Sequence, residues 1–197
     1  MDAAIPSSAV ILQRMVDAVE QVRQRLLRAS AALRSAQVDH AIVGGNAVAA
    51  WVATIDAAAV RNTQDVDILV RRSDFDAARA ALESAGFHYR RAASLDLFLD
   101  TPTASPRQAV HLVYADEIVK PGELAPNPSV SESVDLGSIR VINLDALVRI
   151  KLIAFRDKDR THLRDLIDAG LLDQSWTAKL PPALAARLQA LLDTPEG

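Results

Sequence analysis

The run HAIV, from His40 to Val43, stops at Gly44 and Gly45, and about twenty residues later the chain reads DVDILV from Asp65 to Val70. Alternation along a strand sends Asp65 and Asp67 to one face and Val66 and Ile68 to the other. Two carboxylates side by side can hold one or two divalent cations through oxygen ligands. Gly44 and Gly45 remove side chains where a buried strand of about five residues feeds a helix that starts at Gly45 or Asn46 and carries AVAAWVA. Phosphate oxygens can then approach backbone N–H groups at the positive end of that helix, with Asn46 in its first turn. The pattern asks for a strand, a helix, a loop and a second strand that bring a metal clamp beside a phosphate cradle.

A chain of 197 residues buries one core with a helical extension. The formal charge of -3 and a pI near 5.8 provide no global basic field, which disfavours a long nucleic acid substrate. Cysteine is absent, so disulfides, thiolate zinc sites and cysteine nucleophiles are excluded, and oxygen-ligated Mg²⁺ is the natural metal. The start, MDAAIPSSAVILQRM, lacks a basic region followed by a long apolar core, and no apolar run reaches membrane-spanning length. A cytoplasmic protein with no membrane partner is expected.

Apolar residues recur at helical spacing from Ile11 to Ala36, which predicts an amphipathic helix that packs on the domain or on a partner. Ser73 with Asp76 reads as a capping box for FDAARAALESA, and Gly86 as its terminator. FHYR, LDLFLD and QAVHLVYA read as strands of a mixed sheet. The stretch from Lys120 to Ser133 reads as a long irregular loop. Asn143 caps a helix over LDALVRIKLIAF, RDKDRTHLRDLIDAG forms another ending at Gly170, and PPALAARLQALLD a last one. The fold class is α/β (α+β): a small mixed sheet flanked by helices. Residues 1–37 form an N-terminal helical extension, 38–142 the core and 143–197 a C-terminal helical segment.

GGNAVAAW followed by RNTQDVDILV resembles the glycine and D-h-D signature (h apolar) of the DNA polymerase β-like nucleotidyltransferases, over residues 41 to 70. NLDALVRIKLIAFRDKDRTHLRDL is similar to the helical segment after the core in bacterial minimal and abortive-infection type nucleotidyltransferases. Together the resemblance covers most of residues 30 to 170. It implies transfer of a nucleoside monophosphate from an NTP to an acceptor hydroxyl with Mg²⁺, the acceptor being a protein, a small molecule or an RNA end. It implies that Asp65 and Asp67 hold the metal, that Gly44, Gly45 and Asn46 seat the phosphates, and that Lys151 and Lys158 contact them.

The superfamily carries a third carboxylate on a later strand, and the matching string here is Val110-His111-Leu112-Val113. Either His111 fills that catalytic slot or Asp96 or Asp100, on the preceding strand, supplies the acid. An imidazole there brings no anionic charge, so the alternative is a weak or inactive nucleotidyltransferase fold that binds nucleotide or acts as a toxin–antitoxin-type module. Its partner would be another protein or a second copy, met through the N-terminal helix. Arg61 and Thr63 can position phosphate or metal, and Arg61 can equally be an ion-pair partner. The mixed-sign run from Arg156 to Arg160 reads as a solvated helix start, and Lys151 interrupts an otherwise apolar helix face. Trp51 reads as core, and His40, His88 and His162 as structural or surface residues.

Overall fold

The computed structural model describes residues 6–92, 94–119 and 122–194. β1 (His40–Val43), β2 (Val66–Val70), β3 (His88–Ala92), β4 (Leu95–Leu99), β5 (Ala109–Tyr114), β6 (Ser133–Leu136) and β7 (Ile139–Ile142) form one sheet in the order β3-β4-β5-β2-β1-β7-β6. β2 runs antiparallel to β1 and parallel to β5, while β1 runs parallel to β7, so the sheet is mixed as expected. β1 is buried throughout, and in β2 every residue but Asp67 is buried. Central strands covered on both faces need such β-branched runs. A half-buried aspartate in one of them marks where the cover opens.

The helices are α1 (Ser8–Ser35), α2 (Gly44–Ala53), α3 (Phe75–Ser84), α4 (Leu144–Ala154), α5 (Asp157–Asp168) and α6 (Pro182–Leu192). α1 buries Leu26, Ala29 and Leu33 from its C-terminal half, whereas Leu12, Met15 and Val16 near its start are exposed. Among the described residues no helix is long and apolar enough to cross a membrane.

Local chemistry decides the helix ends. The Asn143 side chain accepts from the Ala146 N–H at 2.9 Å and starts α4. Gly86, at φ +86°, terminates α3, and the Phe87 N–H reaches back to the Leu82 carbonyl at 3.1 Å. The capping box expected at Ser73 does not form. Ser73 lies in a single 3₁₀ turn (Arg72–Asp74), and its hydroxyl donates to Asp74 rather than to the first turn of α3. Lys120, where the irregular stretch was expected to begin, lies outside the described residues, and at Ser133 the stretch gives way to an edge strand, Ser133–Leu136, that was not expected and pairs with β7. Polar Ser133 and Asp135 disguise it in the sequence, and Gly137, at φ +64°, turns the hairpin.

α4 ends at Phe155, a non-glycine residue at φ +46°. Arg187 of α6 steadies this left-handed position by donating to the carbonyls of Leu152 and Ile153 at 2.6 and 2.8 Å, with its guanidinium 5.1 Å from the Phe155 ring centroid. The bend turns α5 back toward α2.

Candidate functional site

Across the β1–β2 ladder Asp67 faces Val43, the residue before the glycines, and across the β2–β5 ladder it faces His111. The registers alone therefore gather the end of β1, the start of α2, the acidic strand and the histidine at one point. Gly44 adopts φ +68°, and a Cβ there would lie 2.1 Å from Asp67 Oδ2. Only glycine satisfies both the backbone and that contact. A Cβ on Gly45 would lie 3.1 Å from the Thr63 side chain. Val43 is the N-cap of α2 and offers its first turn no side-chain acceptor.

Asp65 directly precedes β2. Its Oδ1 accepts from the Thr63 hydroxyl at 2.6 Å, and its main-chain carbonyl accepts from the Asn46 side-chain amide at 2.7 Å. Thr63 and Asn46 thus aim the carboxylate. Its second oxygen, Oδ2, lies 4.0 Å from His111 Nδ1, and Asp67 Oδ1 lies 3.3 Å from the same nitrogen. The other ring nitrogen, Nε2, lies 2.9 Å from the Pro106 carbonyl. That carbonyl only accepts, so Nε2 carries the hydrogen. Asp65, Asp67 and His111 can each offer one ligand atom within 4.8 Å of the others.

Burial pulls the His111 pKa down, but the Asp67 hydrogen bond, the Pro106 carbonyl and the two carboxylate charges outweigh it, and the net shift is upward. Asp67 shows the converse. Burial pushes its carboxyl up, yet the hydrogen bond and charge of His111, with Lys158 and Lys151 beyond, hold it below its ordinary value.

Neither Asp96 of β4 nor Asp100 just beyond its end joins the pair. Asp96 lies opposite Leu112, one register step from His111, so it points to the other sheet face. There it accepts hydrogen bonds from the hydroxyls of Tyr89 and Tyr114 at 2.7 and 2.6 Å. Asp100 pairs with Arg25 and Arg28 of α1. Asp96 therefore lies on the opposite sheet face from Asp65 and Asp67, whereas His111 lies beside them.

The carboxylates open into a cleft of about 560 Å³ whose far wall carries Lys151, Arg156 and Lys158, with Leu124 and Pro126 along one side. Lys158 is exposed there. Lys151 is only 4% exposed, and its Nζ sits 3.1 Å from Oδ1 of the equally buried Asp159, whose Oδ2 takes the Arg156 Nε at 2.7 Å. Burial lowers the Lys151 pKa, with the Asp159 charge working against it. Lys151 is therefore an ion-paired group at the back of the cleft. Arg61 is exposed and pairs with the carboxylate of Asp165 on α5 at 2.6 Å. Arg61, Thr63, Lys158 and Gly45 also border a second cavity of about 180 Å³ behind α2.

His162 lines that cavity with Nδ1 buried and unpartnered. Burial, with Lys151 and Lys158 adding and Asp159 and Asp165 opposing, pushes its pKa down to about 4. In the unfolded chain the group titrates near 6.5, so the unfolded state binds the extra proton between those values and stability falls as pH drops through that window. Thermal melts from pH 7 to 4.5 are expected to lose about 2 kcal/mol on this account. A His162→Phe chain should lack that component, and an unchanged pH profile in the variant would count against the assignment.

Sequence reasoning missed the Pro106 carbonyl, the Lys151, Asp159 and Arg156 network, and the Asp165 partner of Arg61. Main-chain acceptors leave no residue-type signal, and the other pairings depend on where the α4 to α5 bend places α5.

No protein-family model and no curated protein sequence matches the chain. Solved structures do, and the fold they share with it is the nucleotidyltransferase fold. The solution structure of the antibiotic-resistance factor ANT(2'')-Ia superposes with a TM-score of 0.57 at 14% identity, covering 89% of this chain and 93% of that one. ANT(2'')-Ia in complex with adenylyl-2''-tobramycin gives 0.52 at 13% identity, over 90% and 99%. JHP933 from Helicobacter pylori gives 0.50 at 18% identity, over 90% and 74%.

Proposed function

We propose that the chain is a polymerase β-like nucleotidyltransferase that moves a nucleoside monophosphate from an NTP to an acceptor hydroxyl. The observation that carries this reading is the juxtaposition of Asp65 and Asp67 with the glycine start of α2 and with His111. Its donor set suits a divalent cation, and the missing side chain of Gly44 lets the Asp67 carboxylate lie against the start of α2. The acceptor hydroxyl loses its proton to water as its oxygen bonds to the α-phosphorus, the bond from that phosphorus to its bridging oxygen breaks, and the electron pair leaves with pyrophosphate. A cation held by Asp65 and Asp67 would neutralise phosphate charge, and Mg²⁺ is the ion an NTP brings with it.

The remaining roles belong to the chain itself. The first-turn N–H groups of α2, at Gly45 and Asn46, bind phosphate oxygens. Lys158 meets the leaving pyrophosphate, and Lys151 and Arg156 add positive potential behind it. Thr63 and Asn46 keep Asp65 aimed, and Arg61 anchors their loop on α5. Residues 38–142 thus carry the acids and residues 143–197 the cations. The cationic wall disfavours a polycationic acceptor such as an aminoglycoside. Exposed Leu12, Met15 and Val16 of α1 offer a surface to a partner protein or a second copy, and the cytoplasm supplies the NTP.

His111 in the third acidic position favours a second reading, a nucleotide-binding or toxin–antitoxin-type interaction module that performs no transfer. The test is to mix the purified chain with each NTP, with and without a divalent cation, and follow both binding and pyrophosphate. Cation-dependent binding with pyrophosphate release supports the enzyme, binding without release supports the module, and no binding removes both.

A further inference from the structure

The donor set differs in kind from an all-carboxylate one, and the difference bears on which ion the protein itself retains. We infer that Asp65, Asp67 and His111 form a cation site selective for first-row transition dications of the Mn²⁺, Co²⁺ and Zn²⁺ class over Mg²⁺. The inference rests on the nucleotidyltransferase reading for the presence of a cation and goes beyond it in the identity of the ion.

The tautomer supplies the first step. Because Nε2 is committed to the Pro106 carbonyl at 2.9 Å, the ring offers its lone pair at Nδ1 once a cation displaces the proton that Nδ1 shares with Asp67. Nδ1 points between Asp67 Oδ1 at 3.3 Å and Asp65 Oδ2 at 4.0 Å, the position of a third ligand. A hydrogen bond from the non-ligating nitrogen to a main-chain carbonyl is how ligand imidazoles are ordinarily oriented.

Ligand chemistry supplies the second step. Mg²⁺ requires near-octahedral oxygen ligation and gives up water reluctantly, whereas Mn²⁺, Co²⁺ and Zn²⁺ accept imidazole nitrogen beside carboxylate oxygen. Replacing a carboxylate by imidazole also leaves two protein charges instead of three, which weakens the electrostatic hold on a hard cation most. Support is already in place for this set, since Thr63 occupies Asp65 Oδ1 and leaves Oδ2 facing the ring, while the missing Cβ of Gly44 gives Asp67 Oδ2 its place beside the start of α2. Three protein ligands facing a cleft leave positions for water or phosphate oxygen, as at catalytic rather than structural sites.

Titration calorimetry with Co²⁺, Mn²⁺ and Mg²⁺, on wild type and on His111→Asp at pH 7.5 without nucleotide, tests this. The visible spectrum of bound Co²⁺ reports nitrogen ligation independently of turnover. Wild type should prefer Co²⁺ and Mn²⁺ to Mg²⁺ by about 100-fold or more, and His111→Asp should bind Mg²⁺ more tightly while changing the Co²⁺ spectrum. Mg²⁺ binding as tight as Mn²⁺ in wild type, or the same preference and spectrum in both chains, overturns the inference and leaves the nucleotidyltransferase reading standing. If no cation binds either chain and cation-dependent NTP binding is also absent, both fall. If cation-dependent NTP binding persists without cation binding to the free protein, only the selective site falls.

Discussion

Asp67→Asn is expected to lower nucleotidyl transfer by a factor on the order of 10³, the scale of removing one preorganised charge from a phosphoryl-transfer site. The neutral amide keeps the shape, so Gly44 and Val43 should stay in place and the sheet should be undisturbed. Two adjacent carboxylates alone would repel, and on that ground removing them should stabilise the chain. The structure changes the expectation, because His111 lies between the two acids and holds the Asp67 carboxyl below its ordinary pKa. A group whose folded pKa is depressed contributes stability above its unfolded pKa, and that contribution is lost as pH falls through the folded value. At pH 7 Asp67→Asn should therefore cost a small amount of stability, about 1 kcal/mol at most. Pyrophosphate release and a thermal melt on the same preparation check both halves. Full activity in the variant would remove Asp67 from the site, and a melting temperature several degrees higher would show that His111 does not relieve the repulsion.

The parts of this site that were legible in the sequence are those that depend on local periodicity. DVDILV declares its own two faces, and the glycines announce the strand-to-helix junction because few other residues tolerate φ +68°. That His111 rather than Asp96 faces the pair was not legible. The two sit on neighbouring strands, and the answer turns on a one-residue register between β4 and β5. Asp96 is instead fixed by Tyr89 and Tyr114, which bear no sequence relation to it. Edge strand β6 was hidden for a related reason, since its alternation is short and half polar. Lys151 was visible as an anomaly on an apolar helix face, but its partner lies beyond the Phe155 bend.

That partner makes Lys151 and Lys158 separable by experiment, although the family resemblance gives them the same role. Lys151 and Asp159 are 4% and 1% exposed, so removing one leaves the other charged and desolvated. Asp159→Asn, which strands Lys151, is expected to destabilise by about 3–5 kcal/mol and to lower the melting temperature by roughly 10 °C for a chain of this size. Lys151→Met should cost less, because Arg156 still pairs with Asp159 at 2.7 Å. The double variant Lys151→Met with Asp159→Leu should recover part of the loss, since replacing a whole buried pair by apolar groups is often near neutral. Lys158→Ala should leave the melting temperature unchanged, because the side chain is exposed, and weaken NTP binding by about tenfold or more through the lost phosphate contact. Melting curves and NTP titrations on the four chains give the answer. If Lys151→Met abolishes NTP binding at an unaltered melting temperature, Lys151 reaches phosphate directly and its pairing with Asp159 is not the state that binds nucleotide.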